Sequence, residues 1–154
     1  MIENNKAYNT VARYCSMAER CRFDVEAKLK NFSLDVKLVE QILERLESEG
    51  YLNEQRYCDA FVHDKLHFSK WGRLKIIQAL HLKKIDKEFV KDSVGRINDE
   101  EYFTILTQLL KSKAKQTRAK NSYDLKNKLL RFAAGKGFEI ASVLRCLNGL
   151  GDEE

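Results

Sequence analysis

The sequence predicts an all-α chain of three tandem three-helix repeats forming an elongated, curved array, and three observations carry that expectation. Proline is absent from all 154 residues. Helix interiors exclude proline, which lacks the backbone N–H and clashes with the preceding turn. Apolar residues recur at helical spacing almost throughout, with no convincing period-two alternation. One stretch echoes itself 51 residues later, and a period of that size marks a tandem repeat of one supersecondary unit.

The elements follow in order. Ala7, Val11, Tyr14, Cys15 and Ala18 step by three and four, which gathers them on one helix face. Val36, Val39, Ile42, Leu43 and Leu46 do the same, as do Cys58, Phe61, Val62 and Leu66. Leu74, Ile77 and Leu80 come next, then Phe89, Val90 and Val94. The last third offers Tyr102, Ile105, Leu106 and Leu109, then Leu125, Leu129 and Phe132, then Ile140, Val143, Leu144 and Leu147. Asp24, Asp35, Asn53, Asp86 and Asp99 each precede an apolar run, where a short oxygen-bearing side chain caps orphan helix N–H groups. Gly50, Gly72, Gly137 and Gly149 stand near expected helix ends. The count is about nine helices of ordinary length.

The echo pairs Leu29 with Leu80, Leu34 with Ile85 and Asp35 with Asp86, each followed by an apolar helix start. A looser third copy runs from Ala133 through Phe138 and Glu139 to Val143 and Leu147. Each copy reads as helix end, short turn, cap and next helix. The expected repeats are 1–52, 53–98 and 99–150, with an acidic tail at 151–154.

No apolar run approaches the ~18 residues of a membrane span, and the polar first residues lack a signal-peptide core. A cytoplasmic protein with no membrane partner is expected. Cys15, Cys21, Cys58 and Cys146 form no C-x-x-C pair and read as buried thiols. The net charge of +5 is unevenly placed. Lys111, Lys113, Lys115, Arg118, Lys120, Lys126, Lys128, Arg131 and Lys136 face one acid, Asp124. Such a segment repels itself and suits a polyanion, either nucleic acid or an acidic protein surface. The blander alternative is a solvated lysine-rich face.

Chemistry-bearing motifs are missing. The chain has no P-loop, no dinucleotide fingerprint and no G-x-S-x-G. His63 and His67 share helix spacing, but Asp64-Lys65-Leu66 between them lacks the H-E-x-x-H glutamate, so a surface pair is expected rather than a zinc site. Trp71, the one tryptophan, is expected to pack over a helix junction or to meet a partner. The expectation is a non-enzyme with no catalytic residues, cofactor, metal or small-molecule substrate.

The stretch from Leu46 through Gly50-Tyr51-Leu52-Asn53-Glu54 to Phe61 resembles the central signature of the RecX family of bacterial regulators. So does Trp71-Gly72-Arg73-Leu74-Lys75 through Leu80, followed by Lys83-Lys84-Ile85-Asp86. Glu26-Ala27-Lys28-Leu29 and Lys136-Gly137-Phe138 fall in the family's order, so the resemblance spans roughly residues 8–148. The chain departs at Cys58, where alanine is usual, and at Ala133, where leucine is common and where looser packing is expected. It also lacks a proline near Gly72-Arg73.

The resemblance implies a cytoplasmic, non-enzymatic regulator, expected to be monomeric. Such a protein binds the groove of the RecA–DNA filament and restrains RecA's ATPase, strand-exchange and coprotease activities in DNA repair and the SOS response. Contact with RecA or with single- or double-stranded DNA is expected from the 111–136 cations, with Arg73 and Arg56 of the central block as further candidates. Two other readings stay open: a RecA-independent DNA-binding helical protein, and a helical scaffold for other proteins.

Overall fold

The computed structural model describes residues 2–152, with side chains described for 4–150. Of the predicted acidic tail, Gly151 and Asp152 close the last helix, and Glu153 and Glu154 lie outside the described residues. Among the described residues there are nine α-helices and no strand. They are α1 (Ile2–Met17), α2 (Arg22–Leu29), α3 (Val36–Ser48), α4 (Glu54–His67), α5 (Arg73–Leu82), α6 (Lys87–Gly95), α7 (Asp99–Gln116), α8 (Ser122–Gly135) and α9 (Ile140–Asp152). A 3₁₀ turn, Lys30–Phe32, follows α2.

The chain forms two compact units, Met1–Ala60 with Leu80–Lys91 and Phe61–Ala79 with Asp92–Glu154. In the first, α1, α2 and α3 pack on one another. Their shared core holds Ala7, Val11, Val25, Leu29, Leu43 and Leu46, all essentially inaccessible to solvent. In the second, α7, α8 and α9 pack pairwise. Tyr102, Leu106, Leu110, Ala133, Phe138 and Val143 are buried there, and the Tyr102 and Phe138 rings lie 5.3 Å apart.

The helical stripes follow the expected period, with corrections at helix ends: Ala18, expected on the first stripe, lies past the end of α1 and is exposed. Val36, Leu74 and Ile140 are exposed, because each sits in the first two residues of its helix, beyond the reach of the core. In α5 Leu80 is buried as expected, and the residue buried with it is Ile76 rather than the expected Ile77. The four cysteines are free and buried. Burial pushes the Cys21 thiol up to about 12. Among the described residues no helix is long and apolar enough to cross a membrane.

Three of the five expected caps act as such. Asp35 accepts from Leu38 N at 2.8 Å, Asn53 from Arg56 N at 2.9 Å and Asp86 from Glu88 N at 2.9 Å. Asp24 instead lies within the first turn of α2, where it accepts from Cys21 N and pairs with Lys83 at 2.6 Å. Asp99 is the first residue of α7, whose cap is Asn98, accepting from Glu101 N at 2.9 Å. Gly149 falls inside α9 rather than at its end.

The repeat is written in the backbone as well as in the sequence. Ser33 and Lys84, one residue before the matched Leu34 and Ile85, are both left-handed, with φ of 52° and 56°. Gly137, one residue before Phe138, occupies the same place in the third copy with φ of 96°. In all three, the residue after the apolar one accepts the first bond of the next helix: Val39 N to Asp35 O, Val90 N to Asp86 O and Val143 N to Glu139 O. A left-handed residue reverses the chain within one step, and the cap then starts the new helix.

Candidate functional site

The basic segment begins in the last turns of α7. That helix carries Asp99, Glu100 and Glu101 in its first turn and Lys113 and Lys115 in its last, which complements its dipole at both ends. Thr117 ends it, donating its hydroxyl to Lys113 O at 2.6 Å. The loop at 117–121 then carries Arg118 and Lys120, and α8 carries Lys126, Lys128, Arg131 and, as its C-cap, Lys136.

This loop is pinned rather than loose. Asn121 caps α8 by accepting from Asp124 N at 2.8 Å, and the Asp124 carboxylate accepts from Lys120 N at 3.0 Å. Lys128 donates to Arg118 O at 2.7 Å and reaches Asp124 at 3.3 Å. The bond from Lys120 N, aided by Lys128, holds the Asp124 carboxyl below its ordinary range against the opposing effect of desolvation. The single acid of the segment is therefore committed to the loop's own backbone and to one lysine.

Seven of the nine predicted cations are exposed: Lys111, Lys115, Arg118, Lys120, Lys126, Lys128 and Arg131. Lys126 donates to Asn148 at 3.2 Å. Tyr123 stands 77% exposed at the start of α8, among the lysines and Arg118. The other two cations are half-buried. Lys113 lies over the Phe132 ring at 4.7 Å, and Lys136 donates to Ser69 O at 2.8 Å at the opposite end of α8.

The two arginines of the central block are held internally. Arg73 pairs with Asp99 at 2.8 Å and Glu139 at 3.1 Å and lies over the Tyr102 ring at 3.9 Å. Arg56 binds Glu19 at 2.7 Å and donates to the carbonyls of Gly50 and Tyr51 at 3.1 and 3.3 Å. Arg56 therefore holds the backbone of the turn at Gly50 and Tyr51, and Arg73 ties Asp99, Glu139 and Tyr102 together. His63 and His67 stack at 4.3 Å, and His67 bonds Glu101, which raises its pKa.

A further feature is not legible in the spacing: Gly72 and Gly137 meet. Gly72 N donates to Lys136 O at 2.8 Å and Leu74 N to Gly137 O at 3.0 Å. Beside them the fully buried Tyr102 accepts from Arg73 N at 3.0 Å and donates to Glu139. The segments Trp71-Gly72-Arg73 and Lys136-Gly137-Phe138 are 65 positions apart, and neither sequence says that they touch.

The fold defines a class: an all-α array of three-helix repeats. Residues 53–93 match the model of the second three-helix domain of RecX and residues 99–147 that of the third, together more than half the chain. A protein of Finegoldia magna named "Regulatory protein RecX" is 25% identical over 149 residues, covering 94% of this chain and 71% of that protein. One of the same name from Streptococcus agalactiae serotype V is 26% identical over 137 residues, 89% of this chain but only 52% of its own length. The crystal structure of RecX from Lactobacillus salivarius superposes with a TM-score of 0.88 at 22% identity, covering 97% of each chain. The chain belongs to the RecX family.

Proposed function

We propose that this chain is a non-enzymatic, cytoplasmic regulator that binds the RecA–DNA filament and restrains RecA's recombinase, ATPase and coprotease activities in DNA repair and the SOS response. The relatives' shared name, "Regulatory protein RecX", supports a regulator of that type. The observation that carries the contact is the cluster of exposed cations around the α7–α8 loop, whose one acid is tied to the loop backbone. In this reading the working divisions are repeats 1–52, 53–98 and 99–150, and the third meets the polyanion as part of a monomer. Arg56 acts by holding the turn at Gly50 and Tyr51, and Arg73 by tying Asp99 and Glu139 together.

Purified protein is expected to suppress DNA-dependent ATP hydrolysis by the RecA of the same organism at near-equal or lower ratios. No suppression at any ratio overturns the proposal.

Exposure guides the choice of cations to reverse. Lys113 covers Phe132, so its reversal mixes packing with charge. Lys115, Arg118 and Lys120 are exposed and are the cleaner set. Changing these three to glutamate is expected to lower the salt slope of DNA or filament binding by about 2–3, with helicity unchanged by circular dichroism. An unaltered slope moves the contact elsewhere. The same surface favours a second reading, DNA binding without RecA. Tight, steeply salt-dependent binding to bare DNA with no effect on RecA selects it.

A further inference from the structure

Trp71 organises a second cluster of cations, within the Phe61–Ala79 and Asp92–Glu154 unit. The ammonium groups of Lys65 and Lys75 each lie 4.6 Å from the centroid of its ring. Lys65 is also 5.5 Å from the Phe61 ring, which stands edge-on to Trp71 at 6.5 Å. An aromatic face restrains an ammonium group through its quadrupole but supplies no negative charge. Lys136 joins them, its Nζ on the neutral carbonyl of Ser69. All three lysines are half-buried.

Among the described residues no carboxylate lies within ion-pair distance of Lys65, Lys75 or Lys136. The acids of this region are engaged with other groups. Asp64 faces His63, Glu101 bonds His67, and Asp99 and Glu139 both hold Arg73. The Lys136 pKa is lowered, first by burial and then by the charge of Lys75, so two like charges face each other across the site.

We infer that Lys65 and Lys75, over the Trp71 ring, and Lys136, bonded beside it to Ser69 and Gly72, form a site for the phosphodiester backbone of a nucleic acid, distinct from the cations of the α7–α8 loop. Half-buried, self-repelling ammonium groups gain when a phosphate replaces released counterions. The site offers little to a peptide. The backbone N–H groups of Trp71, Gly72, Arg73 and Leu74 are all bonded within the protein, which removes the donors a peptide main chain would use. The lysines also lie against the Trp71 ring, so the ring serves to hold cations.

Helix α8 links this site to the first. Lys136 caps its C-terminus, while Asp124 and Lys128 hold the loop against its first turns. Fourteen residues of helix separate the two ends by roughly 20 Å, about six phosphates along one strand of a duplex. The inference requires only this chain and DNA, so it stands or falls independently of RecA.

The test titrates the full chain with a fluorescently labelled oligothymidine at several salt concentrations and follows Trp71 emission, the chain's one tryptophan. The wild type is expected to bind with a shift in Trp71 emission. Lys65→Gln/Lys75→Gln/Lys136→Gln is expected to reduce the salt slope by about 2, at roughly 0.7 per single-strand contact. The matching triple arginine variant, which keeps the charge, is expected to retain most of the slope. Lys75→Gln alone, a milder change should the triple variant fold poorly, is expected to lose about a third of the effect. Unchanged affinity and slope in helical Lys→Gln variants overturns the site, as does wild-type protein that binds no oligonucleotide at low salt. A shift in Trp71 emission with polyglutamate but none with the oligonucleotide also overturns it, in favour of an acidic protein partner.

Discussion

Gly72→Ala is expected to destabilise the protein by about 3 kcal/mol or more. A Cβ at Gly72 would lie 2.4 Å from the carbonyl carbon of Gly137 and from Phe138 N, and 2.5 Å from Gly137 O. These are backbone atoms, so no side chain can swing aside. The segments must part, and two backbone hydrogen bonds stretch with them, Gly72 N to Lys136 O and Leu74 N to Gly137 O. Each buried group left without a partner costs about 1–3 kcal/mol. Gly137→Ala should be similarly severe. It combines a positive φ with a Cβ 2.3 Å from the Cβ of Lys75 and 2.6 Å from its N. Two other glycines serve as controls. Gly50 has φ of 82° but nothing within 4 Å, so alanine there bears only the left-handed strain of about 1–2 kcal/mol. Gly95 has neither constraint, and alanine there should be neutral or slightly stabilising. Urea midpoints of the four variants, at unchanged m-value, decide the matter. A Gly72→Ala midpoint no lower than that of Gly50→Ala contradicts the close approach.

Tyr102→Phe is expected to be the second large loss, about 2 kcal/mol at neutral pH. The ring stays and only the hydroxyl goes, but Arg73 N loses its acceptor and Glu139 one of its two donors beside the fully buried Tyr102 ring. The same cluster sets a pH dependence. Burial alone would raise the Glu139 pKa, but the bonds from Tyr102 and Arg73 outweigh it and hold the carboxyl below its ordinary value. Asp24 behaves likewise: burial opposes ionisation, and the bonds from Lys83 and Cys21 overcome it. A carboxyl depressed in the folded state contributes stability that is present above its unfolded pKa, about 4. That contribution is lost as pH falls through the folded value. The protein should therefore weaken as pH drops below about 4. Glu139→Gln should be less stable than wild type at pH 7 and lose less on acidification. Urea midpoints at pH 7 and pH 3 measure both, and an equal acid loss in Glu139→Gln rules out its share.

Much of the fold was legible because helices are local. Cap, apolar stripe and helix end all lie within a few residues of one another, so Asp35 and Asp86 could be read as caps before Leu38 and Glu88 were seen to donate to them. The misreadings also have local causes. Asp24 and Asp99 lie one to three residues past the true caps, Cys21 and Asn98, because several polar residues compete at each start. The candidate site was legible as a density of charge and illegible as an arrangement. Lys115, Arg118 and Lys120 project to solvent, whereas Lys113 covers Phe132 and Arg73 is clamped between two acids. Nothing in a count of lysines separates these cases. The grouping of Lys65, Lys75 and Lys136 around Trp71 joins three places in the chain, the outer two of them 71 positions apart.

The sequence by itself determined the helical class, the repeat and the place of its turns, because those depend on periodicity and on residues close in the chain. Even so, it left the three turns looking alike. Ser33, Lys84 and Gly137 share one left-handed position. A side chain is accommodated in the first two, and only the packed structure shows why the third is glycine. There the Cβ and backbone of Lys75 fill the space a Cβ would need. Close contact between distant segments is decided by tertiary packing, and that contact also brings Lys136 beside Lys75, which lies over Trp71.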